Sequence, residues 1–285
     1  MVRDGETLMF DCGEGTQRQM MRYGVSFSLE DIFFTHFHAD HFLGLVGLVR
    51  TLGLQGRTEA LNLYGPSGAK RILGDALAVG MERSPFEIGI EEIAVGDILD
   101  RGDYGIHVFD TRHTRHSVGY ALVEHERLGR FDPDKAKELG IPEGPLWGQI
   151  HAGKTVSLED GREIGPEELV GAPRPGRKVV LTGDTSPCET VVEASVGADL
   201  LIHEGTFGDE EEERAGETGH STASGAAKAA LAAGVKKLAL THLSARYSQN
   251  SRPLLDQALP IFPETVIAKD GMCLEVPFPD EVGGS

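Results

Sequence analysis

Two kinds of hydrophobic pattern alternate along this chain. Short runs of consecutive apolar residues are typical of buried strands, and apolar residues that recur every three or four positions are typical of helices. Because strands and helices alternate, the pattern predicts an α/β layered fold. The predicted strands are 7–10, 32–35, 61–64, 87–95, 104–111, 118–125, 179–182, 199–203 and 237–241, and the predicted helices are 17–23, 42–54, 69–79, 190–196 and 222–233.

Residues 126–178 interrupt this alternation. Apolar periodicity fades there, and Gly and Pro become frequent, as in the segment 139–145. A stretch this long without a strong period is typically a functional excursion or a flexible arm. Regular patterning resumes at Lys178 with a further predicted strand.

Composition narrows the class of protein. The 285 residues suffice for one large domain or two small ones, and 40% hydrophobic with 25% charged residues excludes a disordered chain. The formal net charge of −18 argues against non-specific adhesion to nucleic acid, so an RNA contact would need a local basic patch.

Cysteine content and hydropathy bear on location. Cys12, Cys188 and Cys273 are far apart, and an odd number without a C-x-x-C pair excludes a disulfide framework and a thiolate zinc site. No apolar run reaches the roughly 18 residues of a membrane span, and the segment beginning at Met1 does not have the pattern of a signal peptide. We therefore expect a cytoplasmic protein with no membrane partner.

The densest candidate chemistry is the sequence Thr-His-Phe-His-Ala-Asp-His, directly after a predicted strand. Imidazole and carboxylate suit zinc or a similar divalent cation, and one turn can present several ligands at this spacing. The whole chain has 11 histidines, so three within six positions are not expected by chance in a polar loop. The candidate ligands here are His36, His38, Asp40 and His41.

Three further candidate ligands follow other predicted strands: His113, Asp184 and His242. Each alone would be a weak signal, because a lone Asp after Gly is usually a turn residue and a lone His is usually a satisfied polar group. In α/β sheets, however, ligand-binding residues gather at strand ends. Together with the early cluster they supply enough ligands for two cations, and Asp184 is the natural bridge because a carboxylate has two oxygens.

The motif His-x-His-x-Asp-His at 36–41 is the signature of the metallo-β-lactamase superfamily. Further motifs make the chain similar to the ribonuclease Z family of tRNA 3′-processing endonucleases, and the similarity runs in order along almost the whole chain. The motif at 36–41 is specific only to the superfamily, whereas three later motifs and the Gly/Pro-rich insertion are specific to the family. The matching segments are 10–17, 35–41, 182–185, 203–207, 219–222 and 241–247, of which 203–207, 219–222 and 241–247 are the family-specific ones.

The resemblance implies a four-layer αββα metallo-β-lactamase fold, with 1–285 as the catalytic domain and 126–178 as an inserted tRNA-binding arm. It also implies two Zn²⁺ ions, other divalent cations being possible, bridged by Asp184. The ligands implied for one ion are His36, His38 and His113, and those for the second are Asp40, His41 and His242.

The resemblance also implies catalytic roles. Asp40 would accept a proton from the attacking water, and His220 with Glu204 matches a pair suited to proton transfer to the leaving group. A strongly basic 3′-oxygen needs a general acid, and a histidine oriented by a carboxylate can serve. His220 precedes Ser221 and Thr222, which are good N-cap residues for the predicted helix, and capping is compatible with catalysis.

The insertion resembles the arm with which this family binds tRNA. Its candidate substrate-binding residues are Arg130, Lys154 and Arg174, although acidic residues keep the segment from being net basic. Phosphate contacts would therefore come from one face, and the arm would recognise tRNA shape rather than sequence. The resemblance further implies a homodimer in which the arm of one subunit serves the active site of its partner.

The beginning of the chain departs from the family pattern. Family members have an extra strand and a loop containing Pro and Arg before the region of Phe10, whereas Met1 lies only a few residues ahead of it. Either the true start of the chain lies upstream, or the N-terminal strand is missing, and its loss would leave a sheet edge unpaired. All candidate ligands are retained, so the departure affects stability and cleavage position rather than metal binding.

The sequence therefore predicts a zinc-dependent endoribonuclease that removes the 3′ trailer from precursor tRNA and leaves a 3′-hydroxyl on the tRNA. One alternative is another hydrolase of the same fold that acts on small phosphodiesters or esters, for which the arm would have no use. The other alternative is a truncated, inactive tRNA-binding module, which would bind tRNA without turnover.

Overall fold

The structure is a computed structural model that describes residues 1–79, 83–158 and 160–279. It divides into two compact units. Unit 1 comprises Met1–Leu122 and Lys178–Glu275, and unit 2 comprises Val123–Arg177 and the C-terminal residues from Val276.

The first sheet of unit 1 has five strands in the order β1-β2-β3-β4-β5. Neighbouring strands from β2 to β5 are parallel, and the short β1 pairs antiparallel with β2 at the edge. The strands are β1 Val2–Arg3, β2 Glu6–Phe10, β3 Asp31–Phe33, β4 Leu61–Gly65 and β5 Ile88–Glu92. That a further N-terminal strand is missing stays a prediction.

The second sheet has seven strands in the order β14-β13-β12-β11-β8-β7-β6. Neighbours from β11 to β14 are parallel, and β6 pairs antiparallel with β7. These strands are β6 Ile98–Asp100, β7 Tyr104–Asp110, β8 Val118–Glu124, β11 Lys178–Leu181, β12 Leu200–Glu204, β13 Leu238–Thr241 and β14 Thr265–Ile267.

Helices cover the outer faces of both sheets, and three short helices belong to unit 2. Among the residues that the structure describes, no helix has the length and apolarity needed to cross a bilayer. The helices are α1 Thr16–Tyr23, α2 Ala39–Phe42, α3 Gly44–Leu54, α4 Ala69–Ala78, α5 Pro133–Glu138, α6 Pro145–His151, α7 Pro166–Leu169, α8 Glu189–Ser195, α9 Glu212–Thr218, α10 Ala223–Ala233 and α11 Arg252–Ala258.

Alternate side chains of the first sheet pack in opposite directions. In β3, Ile32 joins a core with helix residues such as Leu48 of α3, whereas Phe33 joins a second core with Tyr120 of the other sheet. Successive side chains of a strand point to opposite faces, so a strand buried on both sides is apolar without alternation. The rings of Phe33 and Tyr64 stack with centroids 4.9 Å apart between the sheets.

Helices cover the face of the second sheet that points away from the first sheet. There the alanine-rich α10 packs against β12 and β13. Small side chains let this helix lie close to the sheet, and Ala226, Ala227 and Ala230 are fully buried. The layers are therefore helix, sheet, sheet and helix, and the predicted αββα order is confirmed.

The helix predicted over 42–54 is observed as α3, with a start two residues later than predicted. The turn α2 ends at Phe42, and α3 begins at Gly44. Gly44 approaches the loop after β2 so closely that a Cβ would lie 2.9 Å from the carbonyl oxygen of Cys12, and the Gly44 amide donates to that oxygen at 2.9 Å. This contact ties the histidine-rich segment to the end of β2.

Unit 2 has a small hydrophobic core of its own, although its sequence shows little apolar periodicity. Trp147 lies against Phe131 with ring centroids 5.3 Å apart and donates its indole N–H to the carbonyl of Ile141 at 3.2 Å. The short strands β9 (Val156–Ser157) and β10 (Glu163–Ile164) form a hairpin. The fully or nearly buried core residues of unit 2 are Ala136, Ile141, Ile150, Val156, Ile164 and Leu169. Within 126–178, Glu159 lies outside the described residues.

Candidate metal centre

The predicted ligands are brought together in unit 1 from separate parts of the chain. They lie after β3, in the loop between β7 and β8, after β11 and after β13. The loops after β11 and β13 lie together because these strands belong to one parallel set, whose carboxyl ends reach the same edge of the second sheet, whereas the loop after β3 comes from the first sheet. The ligand atoms of each group lie within 4.8 Å of one another, and the two predicted groups are His36, His38, His113 and Asp184 in one and Asp40, His41 and His242 in the other. A third, overlapping group that meets the same distance criterion consists of Asp184, His220 and His242.

Asp184 lies between the two groups. Its Oδ2 is 3.7 Å from Nε2 of both His36 and His113 in the first group. The same oxygen is 3.3 Å from Nε2 of His41 and 3.4 Å from Nε2 of His242 in the second. One carboxylate thus faces four imidazoles, which is the position that a bridging ligand requires.

Several atoms of this cluster are buried without hydrogen-bond partners among the described residues: Nε2 of His36, Nε2 of His41 and Oδ1 of Asp184. Buried polar atoms are ordinarily partnered, so a group of orphaned atoms that converge needs an explanation. Cations explain it, because imidazole nitrogen and carboxylate oxygen are the donors that zinc binds. The cluster is typical of a binuclear metallo-β-lactamase site, and its residues fit two divalent cations.

Nδ1 of His38 lies 3.0 Å from Nε2 of His113, but in the other four imidazoles of the two groups Nδ1 is held by a neighbouring oxygen. Such contacts fix the ring orientation and leave Nε2 as the atom that faces the centre. The pairs are His36 with Thr35 Oγ1 at 3.0 Å, His41 with Asp11 Oδ2 at 2.8 Å, His113 with the Gly219 carbonyl at 2.9 Å, and His242 with Thr206 Oγ1 at 2.8 Å.

Asp11 is a functional residue that the sequence patterns do not single out, although it lies in one of the family motifs. Its carboxylate accepts hydrogen bonds from the Thr35 amide and hydroxyl, both at 2.8 Å, as well as contacting His41. A signal is nevertheless present, because Asp11 follows β2, which pairs directly with the strand that precedes the histidine motif. Thr206 is likewise not identified from sequence.

Burial and charge set the ionisation of the cluster in the absence of cations. Burial, followed by the neighbouring His41, lowers the pKa of His36 to about 3. Burial acts against ionisation of Asp184, yet the surrounding imidazoles, His41 first, hold the pKa of its carboxyl well below the usual range. Burial also opposes protonation of His41, but the Asp11 and Asp184 carboxylates raise its pKa to about 10. A cation that binds Nε2 of His41 must displace this proton.

Glu204 and His220 form a second feature beside the cluster. Glu204, at the end of β12, is fully buried, and its Oε1 lies 2.8 Å from Nδ1 of His220. The Glu204 carboxylate also accepts the backbone N–H groups of Thr185, Thr206 and Ser221. Burial lowers the pKa of His220, but the hydrogen bond and charge of Glu204 outweigh it and raise the pKa overall.

The His220 ring lies against the metal-ligand group. Its Nδ1 is 3.9 Å from Oδ2 of Asp184, and its ring stacks on that of His242 with centroids 5.4 Å apart. The N-cap of α10 is Thr222, whose hydroxyl accepts from the Gly225 amide at 3.1 Å, so the capping prediction is confirmed for Thr222.

The candidate substrate-binding residues of the insertion belong to unit 2, not to the cluster in unit 1. Arg174 donates from Nε to the Leu128 carbonyl at 3.0 Å, and Lys154 is exposed. Arg130 lines an open cavity of about 490 Å³ that also contains Lys135.

Comparison with known proteins assigns the family. Residues 1–132 match the family described as anti-Pycsar protein Apyc1, and residues 169–243 match the beta-lactamase superfamily domain. The ribonuclease Z of Gemmatimonas aurantiaca is 56% identical over 284 residues, which are 99% of this chain and 90% of that protein. The chain belongs to the ribonuclease Z family. The ribonuclease Z of Haloferax volcanii is 51% identical, again over 99% of this chain and 90% of its own length.

A solved structure agrees with this assignment. The crystal structure of human tRNase Z, short form, superposes with a TM-score of 0.67 at 27% identity and covers 98% of this chain and 91% of that one. The predicted family, the metallo-β-lactamase fold and the class of phosphodiester hydrolase are therefore confirmed. Membership in the ribonuclease Z family also disfavours the small-substrate alternative.

Bound metal is expected to stabilise the folded chain. Ligand present at about 100 times its Kd stabilises a native state by about 2.7 kcal/mol, which is about 5–10 °C in Tm for a protein of this size class. We expect Tm, measured by calorimetry on chelator-treated protein, to rise by this amount when Zn²⁺ is restored.

The matched control for this measurement is Asp184→Asn, which keeps the side-chain volume and removes the shared charge. Its Tm should respond to Zn²⁺ far less than that of the unmodified chain. A wild-type Tm that is insensitive to saturating Zn²⁺ would contradict the assignment of the cluster as a metal centre.

Proposed function

We propose that this chain is a zinc-dependent endoribonuclease that removes the 3′ trailer from precursor tRNA and leaves a 3′-hydroxyl on the tRNA. The observation that carries the proposal is the position of Asp184, whose Oδ2 lies 3.3 to 3.7 Å from four imidazoles of two ligand groups. Family membership supplies the reaction class, and the geometry supplies a place for two cations.

The proposed ligands of one ion are His36, His38 and His113, those of the other are Asp40, His41 and His242, and Asp184 is shared. When bound, a pair of cations neutralises the charge of the scissile phosphodiester and makes water more acidic. Imidazole and carboxylate donors favour zinc, and other divalent cations bind the same donors.

Asp40 is the proposed proton acceptor for the attacking water. Its side chain is 61% exposed, in contrast to the 3% exposure of Asp184, so water and substrate can reach it. Its Oδ2 is 3.4 Å from Nε2 of His242 and 3.6 Å from Nε2 of His41, which holds the carboxylate at the rim of the cluster.

His220 is the proposed proton donor to the leaving 3′-oxygen. Nδ1 is engaged by Glu204, so Nε2 is the nitrogen that can face substrate. The Glu204 carboxylate favours the protonated ring, which is the form a general acid needs before the bond breaks. Glu204 is itself fixed by three backbone amides and therefore orients the ring.

Unit 2 is the proposed tRNA-binding arm, with Arg130, Lys154 and Arg174 contacting phosphates. Its own core supports this proposal, because a small packed unit can present a fixed surface to a folded RNA. A homodimer in which the arm of one subunit serves its partner also stays a proposal, as does the cytoplasmic location.

Replacing residues 126–177 with a short Gly/Ser linker tests the arm. We expect cleavage of precursor tRNA to fall about a hundredfold or more, as removal of several phosphate-binding side chains implies. Hydrolysis of a small aryl phosphodiester should persist, since all proposed ligands lie in unit 1. The products should be mapped at their ends to verify the cleavage position and the 3′-hydroxyl.

A milder variant guards against misfolding of the shortened chain. This variant carries three substitutions to Gln, at Arg130, Lys154 and Arg174, and should bind precursor tRNA more weakly. The slope of log binding constant against log salt concentration should fall by about one for each replaced side chain that contacts a phosphate. Equal loss of both activities in the linker variant, or an unchanged salt slope in the Gln variant, would count against the arm.

A further inference from the structure

The two chain segments at the base of unit 2, residues 124–127 and 174–177, pair with each other and are called the stem here. Glu124 N–H donates to the Arg177 carbonyl at 2.9 Å, and Arg127 and Arg174 exchange backbone hydrogen bonds of 2.7 and 2.9 Å. A Cβ on Gly176 would lie within 2.6 Å of Glu124 and His125, so the two segments pack too closely for any other residue.

The C-terminal part of the chain returns to this stem after Glu275. The carbonyl of Val276 accepts a hydrogen bond from the Arg177 guanidinium at 3.2 Å. The Phe278 ring then lies between two guanidinium groups, with its centroid 3.4 Å from Cζ of Arg127 and 4.0 Å from Cζ of Arg177. Both contacts are cation–π interactions, in which the ring face attracts the positive charge.

Arg177 is held on its other side by Glu124. Its Nε and a terminal nitrogen donate to the two carboxylate oxygens at 2.9 and 2.6 Å, and the Glu124 side chain is only 3% exposed. A bidentate pair of this kind fixes the plane of the guanidinium. Arg177 is therefore committed to the stem rather than to an RNA phosphate.

These contacts form one connected set in which Phe278 touches an arginine from each segment of the stem. Arg127 comes from the segment that enters unit 2, and Arg177 from the segment that leaves it. The chain also passes from unit 1 into unit 2 a second time, between Glu275 and Val276. Phe278 and Val276 thus connect this returning part of the chain to the stem.

We propose that Phe278 is a positioning residue for cleavage of precursor tRNA, acting by clamping the stem of unit 2. The inference rests on the proposed function of unit 2 as the tRNA-binding arm. Substrate binding is tighter when the binding surface is ordered beforehand, because less conformational entropy is lost on association. The clamp should therefore affect KM for precursor tRNA and leave the chemistry unchanged.

The variant Phe278→Ala tests this role. We expect KM for precursor tRNA to rise about tenfold, in line with the removal of two cation–π interactions. The value of kcat on precursor tRNA and the hydrolysis of a small aryl phosphodiester should stay within about twofold of wild type, which is ordinary for a change remote from the chemistry. Hydrogen exchange of residues 124–127 and 174–177 should become faster.

Two other substitutions of Phe278 separate the cation–π contact from simple packing. Phe278→Tyr keeps an aromatic face and should retain the wild-type KM. Phe278→Leu keeps apolar volume but has no aromatic face, so its KM should rise as in Phe278→Ala. Met272→Ala is the matched control, because Met272 is an exposed apolar residue near the C-terminal end of the chain. That variant should behave like the unmodified chain.

The outcomes distinguish this inference from the proposal on which it rests. If the linker replacement of 126–177 spares cleavage of precursor tRNA, the proposal that unit 2 is the tRNA-binding arm is wrong. If that replacement abolishes cleavage while Phe278→Ala keeps the wild-type KM, the proposed role of unit 2 is supported and the proposed role of Phe278 is wrong. Equal losses on both substrates for Phe278→Ala would mean general destabilisation and would also overturn the clamp.

Discussion

Replacing Asp40 with alanine is expected to lower the rate of precursor tRNA cleavage by at least about a thousandfold, because loss of a general base alone costs about 10²–10⁴. The same change removes a proposed ligand of the second cation. The first group keeps His36, His38, His113 and Asp184, so one cation should remain. Single-turnover cleavage and metal content by elemental analysis on the same sample check both expectations.

Asp75→Ala is the matched control for this experiment. Asp75 is an aspartate on a helix of unit 1, its side chain is 76% exposed, and it forms an ion pair with Arg71 at 3.7 Å. An exposed ion pair of this kind contributes about 0–1 kcal/mol, so rate and metal content should match those of the unmodified chain. Near-normal turnover of Asp40→Ala would remove Asp40 from the mechanism.

The clustering of the candidate ligands could be predicted from sequence because its signal is local and chemical. The histidine motif is dense, and His113, Asp184 and His242 each follow an apolar strand. Parallel strands deliver their ends to one edge, so residues far apart in sequence meet without any need to know the loops. The structure brings all of these side chains into two adjoining groups.

The residues that orient the ligands could not be identified in the same way. Thr206 contacts Nδ1 of His242 through a hydroxyl, and Gly219 contacts His113 through its backbone carbonyl. Because every residue has a backbone carbonyl, the residue type of Gly219 does not indicate that its carbonyl contacts His113. Asp11 adopts a left-handed backbone with φ of 56°, a region that Asp enters more often than most residues, and its carboxylate contacts Thr35 and His41, which are distant in sequence.

The strands and helices that were not predicted are short, or their apolar and polar residues do not follow a clear period. The strand Ile98–Asp100 has three residues, too few to show an alternation. Helix Arg252–Ala258 buries only Leu254 and Ala258, so its apolar face is narrow. In unit 2, the core comes from several small elements that each contribute one or two residues, and such a core has no period along the chain.

Replacing His220 with alanine is expected to slow cleavage of precursor tRNA by about 10²–10⁴, the range for loss of a general acid. Both cations should be retained, because the two proposed ligand groups are complete without His220, although His220 also lies within reach of Asp184 and His242. The loss should be much smaller for an aryl phosphodiester, whose phenolate leaves without a proton. The measurement is the ratio of the two rates for each variant, together with metal content and Tm.

Two variants make the interpretation of His220→Ala specific. His116→Ala removes an exposed histidine near the same cluster in sequence and should leave the ratio of rates unchanged. Glu204→Gln keeps the volume of the buried side chain but removes the charge that favours a protonated His220, so it should shift the ratio in the same direction as His220→Ala. If His220→Ala instead slows both substrates equally, or loses a cation, His220 is part of the metal centre and the leaving oxygen takes its proton from another group.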